Sequence, residues 1–279
     1  MHPDRLRPLI TTGILVAVTA LSSRADTVAY YRFENGTADS SYGATANHAI
    51  LDSSSHGFHL NPSENPFAST QVPVDQFPLT EEKNLLSLHF TKNANVYASP
   101  DSGLNQVAFT NFTIEAWINF DELDGWQTLI GRDDSGSPGE GTGFQSLFYL
   151  SKGPDIKPHP GQTKNGLRVE LVTRDNRLLV IDSTLGVLAQ TWYHVAVVGD
   201  ARAGTLALFV EGSKIGSVSG FNGLFVPTQN CPWTLGRGQY KGIPNDFLKG
   251  YLDEVRFSNE ALRPDQFLNA TPPRPSPAR

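Results

Sequence analysis

Nine consecutive residues, Phe112-Thr113-Ile114-Glu115-Ala116-Trp117-Ile118-Asn119-Phe120, constrain this chain more than any other stretch. Successive side chains of an extended backbone point to opposite faces, so Phe112, Ile114, Ala116, Ile118 and Phe120 share one face. Thr113, Glu115, Trp117 and Asn119 share the other. A strand with so apolar a face needs a second layer packed against it. Long helical periodicity is nearly absent elsewhere, and Gly, Pro, Asn, Asp and Ser recur roughly every 8 to 12 residues, the spacing of a sandwich or barrel.

The same reading predicts further strands over residues 27–33, 85–90, 96–98, 126–131, 144–150, 167–172, 178–182, 192–198, 233–236 and 248–257. Residues 205–210 and 214–218 form a hairpin across Glu211-Gly212-Ser213. Short helical turns are expected at 81–84 and 263–268 only. Residues 61–82 and 132–166 are rich in Pro and polar residues and read as long surface loops.

The ends belong to other classes. Arg5 and Arg7, the short apolar run from Ile10 to Leu21, and small residues around Ala25 read as a secretory signal spanning residues 1–25. That run is shorter than the roughly 20 residues a membrane span needs. The folded region is expected over 26–270, and the Pro-rich residues 271–279 offer nothing large enough to bury. The chain carries 22 Lys and Arg against 28 Asp and Glu, a net charge of −6 that becomes −8 once Arg5, Arg7 and Arg24 leave with Asp4. An acidic surface is a poor match for nucleic acid or an anionic membrane. A single cysteine, Cys231, precludes an intrachain disulfide and reads as a small buried hydrophobe. Export without disulfides points to a secreted, periplasmic or cell-surface protein of bacterial type.

Several segments taken in order carry a resemblance. They are Tyr30-Tyr31-Arg32-Phe33-Glu34-Asn35-Gly36, the turn Asp52-Ser53-Ser54-Ser55-His56-Gly57, Leu86-Ser87-Leu88-His89-Phe90, and Phe112 to Ile118. Trp192-Tyr193-His194-Val195-Ala196, Thr205 to Gly212, and Gly250-Tyr251-Leu252-Asp253-Glu254-Val255-Arg256-Phe257 follow. The set resembles the LamG-like jelly-roll family of the concanavalin A-like lectin/glucanase superfamily, over residues 27 to 268 or so. The resemblance implies an all-β, two-sheet antiparallel jelly-roll sandwich whose first and last strands are neighbours. It also implies a calcium ion at their junction, for which Asp52 and Asp253 are the candidate ligands. The residue-level alternative is that Asp52 caps its own turn and Asp253 pairs with Arg256 or another cation.

Hydrolases of this superfamily place a Glu-x-Asp-x-x-Glu run on one strand, so that alternate carboxylates enter a cleft. No such run occurs here, nor a Gly-x-Ser-x-Gly or a phosphate loop. Asp121-Glu122-Leu123-Asp124 reads as a turn, and Asp253 and Glu254 are adjacent, so a regular strand would separate them onto opposite faces. The expectation is therefore a non-catalytic domain that binds a glycan or a cell-surface protein. Trp126, Tyr149 and Tyr240 are the candidate stacking residues, with Arg237 and Asn245 as polar contacts. A polysaccharide hydrolase or lyase with an unrecognised site, and a structural envelope or adhesion component, are the alternatives.

Overall fold

A computed structural model describes residues 26–43, 49–78, 80–134, 146–154, 163–227 and 231–271. The expected signal segment and most of the expected tail lie outside the described residues, as do 135–145 and 155–162 of the expected loop 132–166, whose described part is not a loop but holds the end of one strand and the whole strand Ser146–Lys152. Within the described residues no helix is long and apolar enough to cross a membrane.

Two antiparallel sheets face each other. Sheet A has the order β14 (Ser213–Ser219), β13 (Thr205–Val210), β12 (Tyr193–Asp200), β7 (Asn111–Phe120), β18 (Gly250–Ser258), β5 (Ser87–Phe90), β4 (Phe67–Ser69) and β2 (Ser40–Ser41). β1 (Thr27–Tyr31) pairs with the second half of β18, Tyr31 opposite Val255, so the two ends of the fold lie side by side. Sheet B has the order β11 (Leu178–Gly186), β10 (Gly166–Val172), β9 (Ser146–Lys152), β8 (Gln127–Asp133), β15 (Trp233–Leu235), β6 (Asn95–Ala98) and β3 (Leu60–Ser63). A separate hairpin, β16 (Gly238–Tyr240) and β17 (Ile243–Asn245), completes the set.

The alternation of β7 is realised between the sheets. Phe112, Ile114, Ala116, Ile118 and Phe120 are all fully buried. Phe112 meets Phe148 of sheet B edge-on at 6.1 Å, Phe148 meets Trp233 at 5.3 Å, and Trp233 meets Phe257 of sheet A at 5.1 Å. Each buried aromatic ring of this kind contributes about 1.5–3 kcal/mol through area removed from water. Cys231 is buried, as expected.

Three further expectations change. Residues 61–82 do not form a simple surface loop: they supply most of β3, all of β4, and the fully buried Phe77. The prolines concealed this, yet Pro62 lies on β3, the edge strand of sheet B, where a missing N–H removes no interior ladder bond. The helical turn at 81–84 is absent. Glu81 has φ 58° and Gln76 bridges to Lys83, so the chain reverses there as an extended turn. Finally, β18 is not regular at Asp253-Glu254. A bulge shifts its register against β7 between Asp253 and Arg256, with Glu254 at φ 50°, and both carboxylates are buried.

Candidate functional site

The outer face of sheet B carries the most varied chemistry. Leu167, Val169 and Leu171 of β10 face the core, which turns Arg168 and Glu170 outward. Strand register then sets Ser151 and Asp182 on either side of Arg168, and Tyr149 and Val180 on either side of Glu170. Arg168 donates through Nη1 to both oxygens of Asp182, at 2.8 and 2.9 Å, and through Nε to Glu170 Oε2 at 3.2 Å. Ser146 Oγ lies 2.5 Å from Glu170 Oε1. The Arg168, Glu170 and Asp182 side chains keep 20–30% of their surface exposed, so they form a partly wetted shelf.

Trp126 stands beside the shelf, half-buried, with the Arg168 guanidinium 6.0 Å from its ring centroid. The turn that carries it, 121–126, is anchored from below. The fully buried Lys152 ammonium donates to the carbonyls of Leu123 and Gly125. Gln127 adds donations to Glu122 O at 2.8 Å and Asp124 O at 3.2 Å. The turn that carries the indole is thus held by four side-chain hydrogen bonds to its own backbone carbonyls.

The β16–β17 hairpin walls the other side. It lies close over β8 because Gly131 and Gly238 lack side chains: a Cβ on Gly131 would fall 2.8 Å from Arg237 O, and one on Gly238 would fall 2.7 Å from Thr128 Oγ1. Tyr149 and Arg237 staple it down. The Tyr149 hydroxyl donates to Asp133 Oδ1 at 2.6 Å and accepts from Gln239 N at 2.9 Å, and Arg237 Nη1 donates to Asp133 Oδ2 at 2.6 Å. Burial, with Asp133 beside it, pushes the Tyr149 hydroxyl far above its ordinary range, so it stays a neutral donor. Tyr240 and Ile243 face each other at the exposed tip. Asn245, exposed, donates to Asp246 Oδ1 at 3.1 Å. Asp246 O accepts from Thr128 N at 2.8 Å, and burial together with the charge of Glu170 raises its carboxyl above the usual range.

All five sequence candidates therefore lie on this face or on the hairpin across it, but not in one role. Trp126 is beside the shelf, Tyr240 and Asn245 are on the hairpin surface, and Tyr149 and Arg237 are internal ties. Sequence reading missed Arg168, Glu170, Asp182 and Asp246. The usable signal was the Leu-Arg-Val-Glu-Leu alternation of residues 167–171, which places two charges on the face opposite three core residues.

A family model described as the concanavalin A-like lectin/glucanases superfamily matches residues 91–267, more than half of the chain. The chain belongs to the concanavalin A-like lectin/glucanase superfamily. Among solved structures it is similar to domain 4 of AbnA, an extracellular arabinanase from Geobacillus stearothermophilus, in complex with arabinotriose. That match has 16% identity and TM-score 0.58, covering 88% of this chain and 97% of that one. It is also similar to the CBM40 of the Ruminococcus gnavus IT-sialidase, at 17% identity and TM-score 0.50, covering 65% and 94%. Trypanosoma rangeli sialidase, in complex with 2,3-difluorosialic acid, matches at 16% identity and TM-score 0.53, covering 88% of this chain and 32% of that one. No curated protein matches the chain.

In this concanavalin A-like sandwich the junction of terminal strands is where a calcium ion was expected. Asp52 and Asp253 play different parts there. Asp52 closes its own turn: Oδ1 accepts from Tyr30 N and Ser54 N, both at 2.8 Å, and Oδ2 accepts from Ser54 Oγ at 2.7 Å and Phe58 N at 2.9 Å. Four donors leave that carboxylate little capacity for an ion. Asp253 does not pair with Arg256, which is bound to Glu115. It is fully buried, accepting from Asn84 Nδ2 at 2.8 Å and Glu254 N at 2.9 Å, and burial holds its carboxyl well above the usual range. Asn84 Oδ1, on the amide that donates to Asp253, and Glu254 Oε2, on the next residue, are buried with no hydrogen-bond donor. Unpartnered oxygens are the donor type calcium takes, whereas the Asp52 carboxylate is already saturated. Among the described residues no three His, Cys, Asp or Glu side chains are grouped to hold a metal.

Proposed function

We propose that this chain is an exported, non-catalytic glycan-binding domain whose ligand lies on the shelf between Trp126 and the β16–β17 hairpin. The observation that carries this reading is the combination of a half-buried indole, fixed from beneath by Lys152, with the partly exposed polar row of Arg168, Glu170 and Asp182. Sugar rings present apolar C–H faces to an aromatic platform and hydroxyls to flanking carboxylates and guanidinium groups. The superfamily fold, and neighbours whose structures contain arabinotriose or belong to a carbohydrate-binding module, support the same reading. A binding role is favoured over hydrolysis because both Glu170 oxygens are engaged, by Ser146 and by Arg168, which leaves neither oriented as a nucleophile.

Calorimetric titration with oligosaccharides tests it. Binding in the native chain should weaken about tenfold in Trp126→Ala, as expected for loss of about 1–1.5 kcal/mol of aromatic contact. Melting temperature should change little. Release of reducing ends by the native chain, lost in Glu170→Gln, would replace the binding reading with a hydrolase.

We also infer a structural calcium at Asp253, with Asn84 Oδ1 and Glu254 beside it. The pH dependence gives opposite signs with and without the ion. Without calcium, the raised carboxyl of Asp253 is neutral in the fold, and its contribution to stability is lost as pH rises through the folded pKa. With calcium the ligand is deprotonated, so added calcium should stabilise more at high pH than at low pH. Melting curves between about pH 5 and 8 should show both slopes; Asp253→Asn should abolish the calcium response and reduce the calcium-free slope, the rest of which belongs to Glu254, whose carboxyl burial raises to about 8. An unchanged melting temperature on adding calcium at pH 8 removes the ion.

A further inference from the structure

The segment after β18 crosses the outer face of sheet A at Thr113 and Glu115. Further along β7 that face ends in a row of rings. Tyr251 of β18 lies opposite Asn119, His89 of β5 opposite Tyr251, and Phe67 of β4 opposite His89. On the other side of β7, Tyr193 lies opposite Ile118 and Gln190 N donates to Phe120 O at 2.7 Å, which sets Trp192 beside Asn119. The row spans four strand spacings, ~19 Å. His89 stacks on Tyr251 at 4.1 Å, and its Nε2 lies 2.7 Å from Asp121 Oδ2. The backbones of Trp192 and Tyr251 stand two strand spacings apart, ~10 Å. Their ring centroids are only 5.9 Å apart. The two rings therefore lean together over Asn119, which is 1% exposed.

Three buried polar atoms at this place have no hydrogen-bond partner among the described residues: Asn119 Oδ1, Trp192 Nε1, and Nε1 of Trp117, two residues before Asn119 on the same face. Burying a donor or acceptor unpaired is costly, and native folds keep few such groups. Trp192 is the movable member, because it is half-buried and precedes the ladder of β12. Turning it outward frees its own Nε1 and uncovers Asn119 Oδ1 beside the Tyr251 ring. We propose that this end of sheet A is a second sugar site, on the face opposite the Trp126 shelf and independent of it. A sugar unit enters between Tyr251 and the turned Trp192 and lays an apolar C–H face on one of the rings. One hydroxyl donates to Asn119 Oδ1, and another oxygen accepts from Trp192 Nε1. Few polar groups set among aromatic faces are the usual make-up of a small-molecule site. The rings of His89, half-buried, and Phe67, exposed, extend the platform to further units. An added peptide strand needs the main-chain groups of an open sheet edge, which a sheet face does not offer. With a sugar site on each face, one chain bridges two glycan strands and gains avidity for a multivalent one.

Titration calorimetry and tryptophan emission on the full chain test it, with cellotriose, maltotriose and arabinotriose as probes and a proline-rich peptide as control. The native chain should take up two sugars. Trp126→Ala should weaken one site and Trp192→Ala the other, each leaving one site at native strength. In Trp126→Ala the sugar should still shift the tryptophan emission, because Trp192 leaves its contact with Tyr251. Asn119→Leu keeps the test sound if Trp192→Ala folds poorly. It replaces an unpaired polar group with an apolar one of similar size, so melting temperature should hold or rise while sheet A affinity falls about tenfold. Uptake of a single sugar that Trp126→Ala weakens, and that Trp192→Ala and Asn119→Leu leave alone, overturns the second site and leaves the shelf reading standing. Uptake of a single sugar with the reverse pattern supports the sheet A site and removes the shelf. Binding of the peptide and of no sugar overturns the ligand class, and no binding of any probe overturns both readings.

Discussion

The outer faces of the two sheets solve the same problem in opposite ways. Each must dispose of polar side chains that alternate with core residues. On sheet A the chain covers them itself. The segment after β18 crosses that face: Leu262 and Phe267 pack on Ala196 and Val198, Leu262 N donates to Thr113 Oγ1 at 2.9 Å, and Leu268 N donates to Glu115 Oε2 at 2.8 Å. Beneath it, the fully buried Glu115 accepts from Arg256 Nε at 2.8 Å and from His194 Nε2 at 2.9 Å. On sheet B the equivalent row, Arg168 with Glu170 and Asp182, is left partly open, and the hairpin covers only the neighbouring strands. The closed face buries its charges, and the open face keeps 20–30% of its charged side chains exposed.

Removing one partner from each face measures that difference. The largest effect belongs to Glu115. Glu115→Gln leaves Arg256 without a counter-charge under the closing segment and should cost about 3–5 kcal/mol, seen as a large drop in melting temperature, with glycan affinity unchanged in the fraction that folds. The pH dependence has a definite sign. Burial alone would raise Glu115, but Arg256, His194 and the Leu268 amide outweigh it and hold the carboxyl below its ordinary range. Its contribution is present above the unfolded carboxylate pKa and is lost as pH falls through the folded one. The native chain should therefore lose stability in acid, and Glu115→Gln should lose less. An acid limb of unchanged slope in the variant would show that the network is not what closes this face.

Much of this contrast was legible in the sequence, for a physical reason that also marks its limit. The alternation around Phe112 depends on period, which the sequence displays directly, and the pairing of the terminal strands was implied by the family resemblance. Glu115 was placed on the non-core face correctly, but its complete burial depends on a segment some 150 residues later folding back over it, as the Leu268 contact shows. The same limit separated the site candidates. Tyr149 and Trp126 look alike as aromatics near loops. Only the close approach of the hairpin over Gly131 makes one a tie and leaves the other beside an open shelf. Arg168 and Glu170 were visible as outward residues of a strand, but their significance required knowing that β11 brings Asp182 beside them.

Tyr149 tests the boundary between the two strategies, since it is a buried polar group on the open face. Tyr149→Phe keeps the ring and deletes the hydroxyl that joins Asp133 to Gln239 N. The expected cost is about 1–2 kcal/mol, because two buried partners lose a hydrogen bond at once. Amide exchange should rise first in residues 238–245, ahead of sheet A. Exchange that rises uniformly would mean the hairpin is not an independently stapled wall.

The smallest effect is expected at the hairpin tip. Tyr240 and Ile243 are 53% and 69% exposed, and the Lys241 ammonium lies 5.2 Å from the Tyr240 ring. Such surface positions contribute within about 0.5 kcal/mol to stability, so the double change Tyr240→Ser with Ile243→Ser should leave the melting temperature almost unmoved. If the ligand spans from Trp126 to the wall, the tip supplies its apolar edge. Affinity for longer neutral oligosaccharides should then fall two- to threefold, while that for disaccharides stays constant. A loss that is the same for short and long ligands would place the tip in direct contact with the sugar on Trp126. No loss at any length would confine the ligand to the Trp126 side of the shelf.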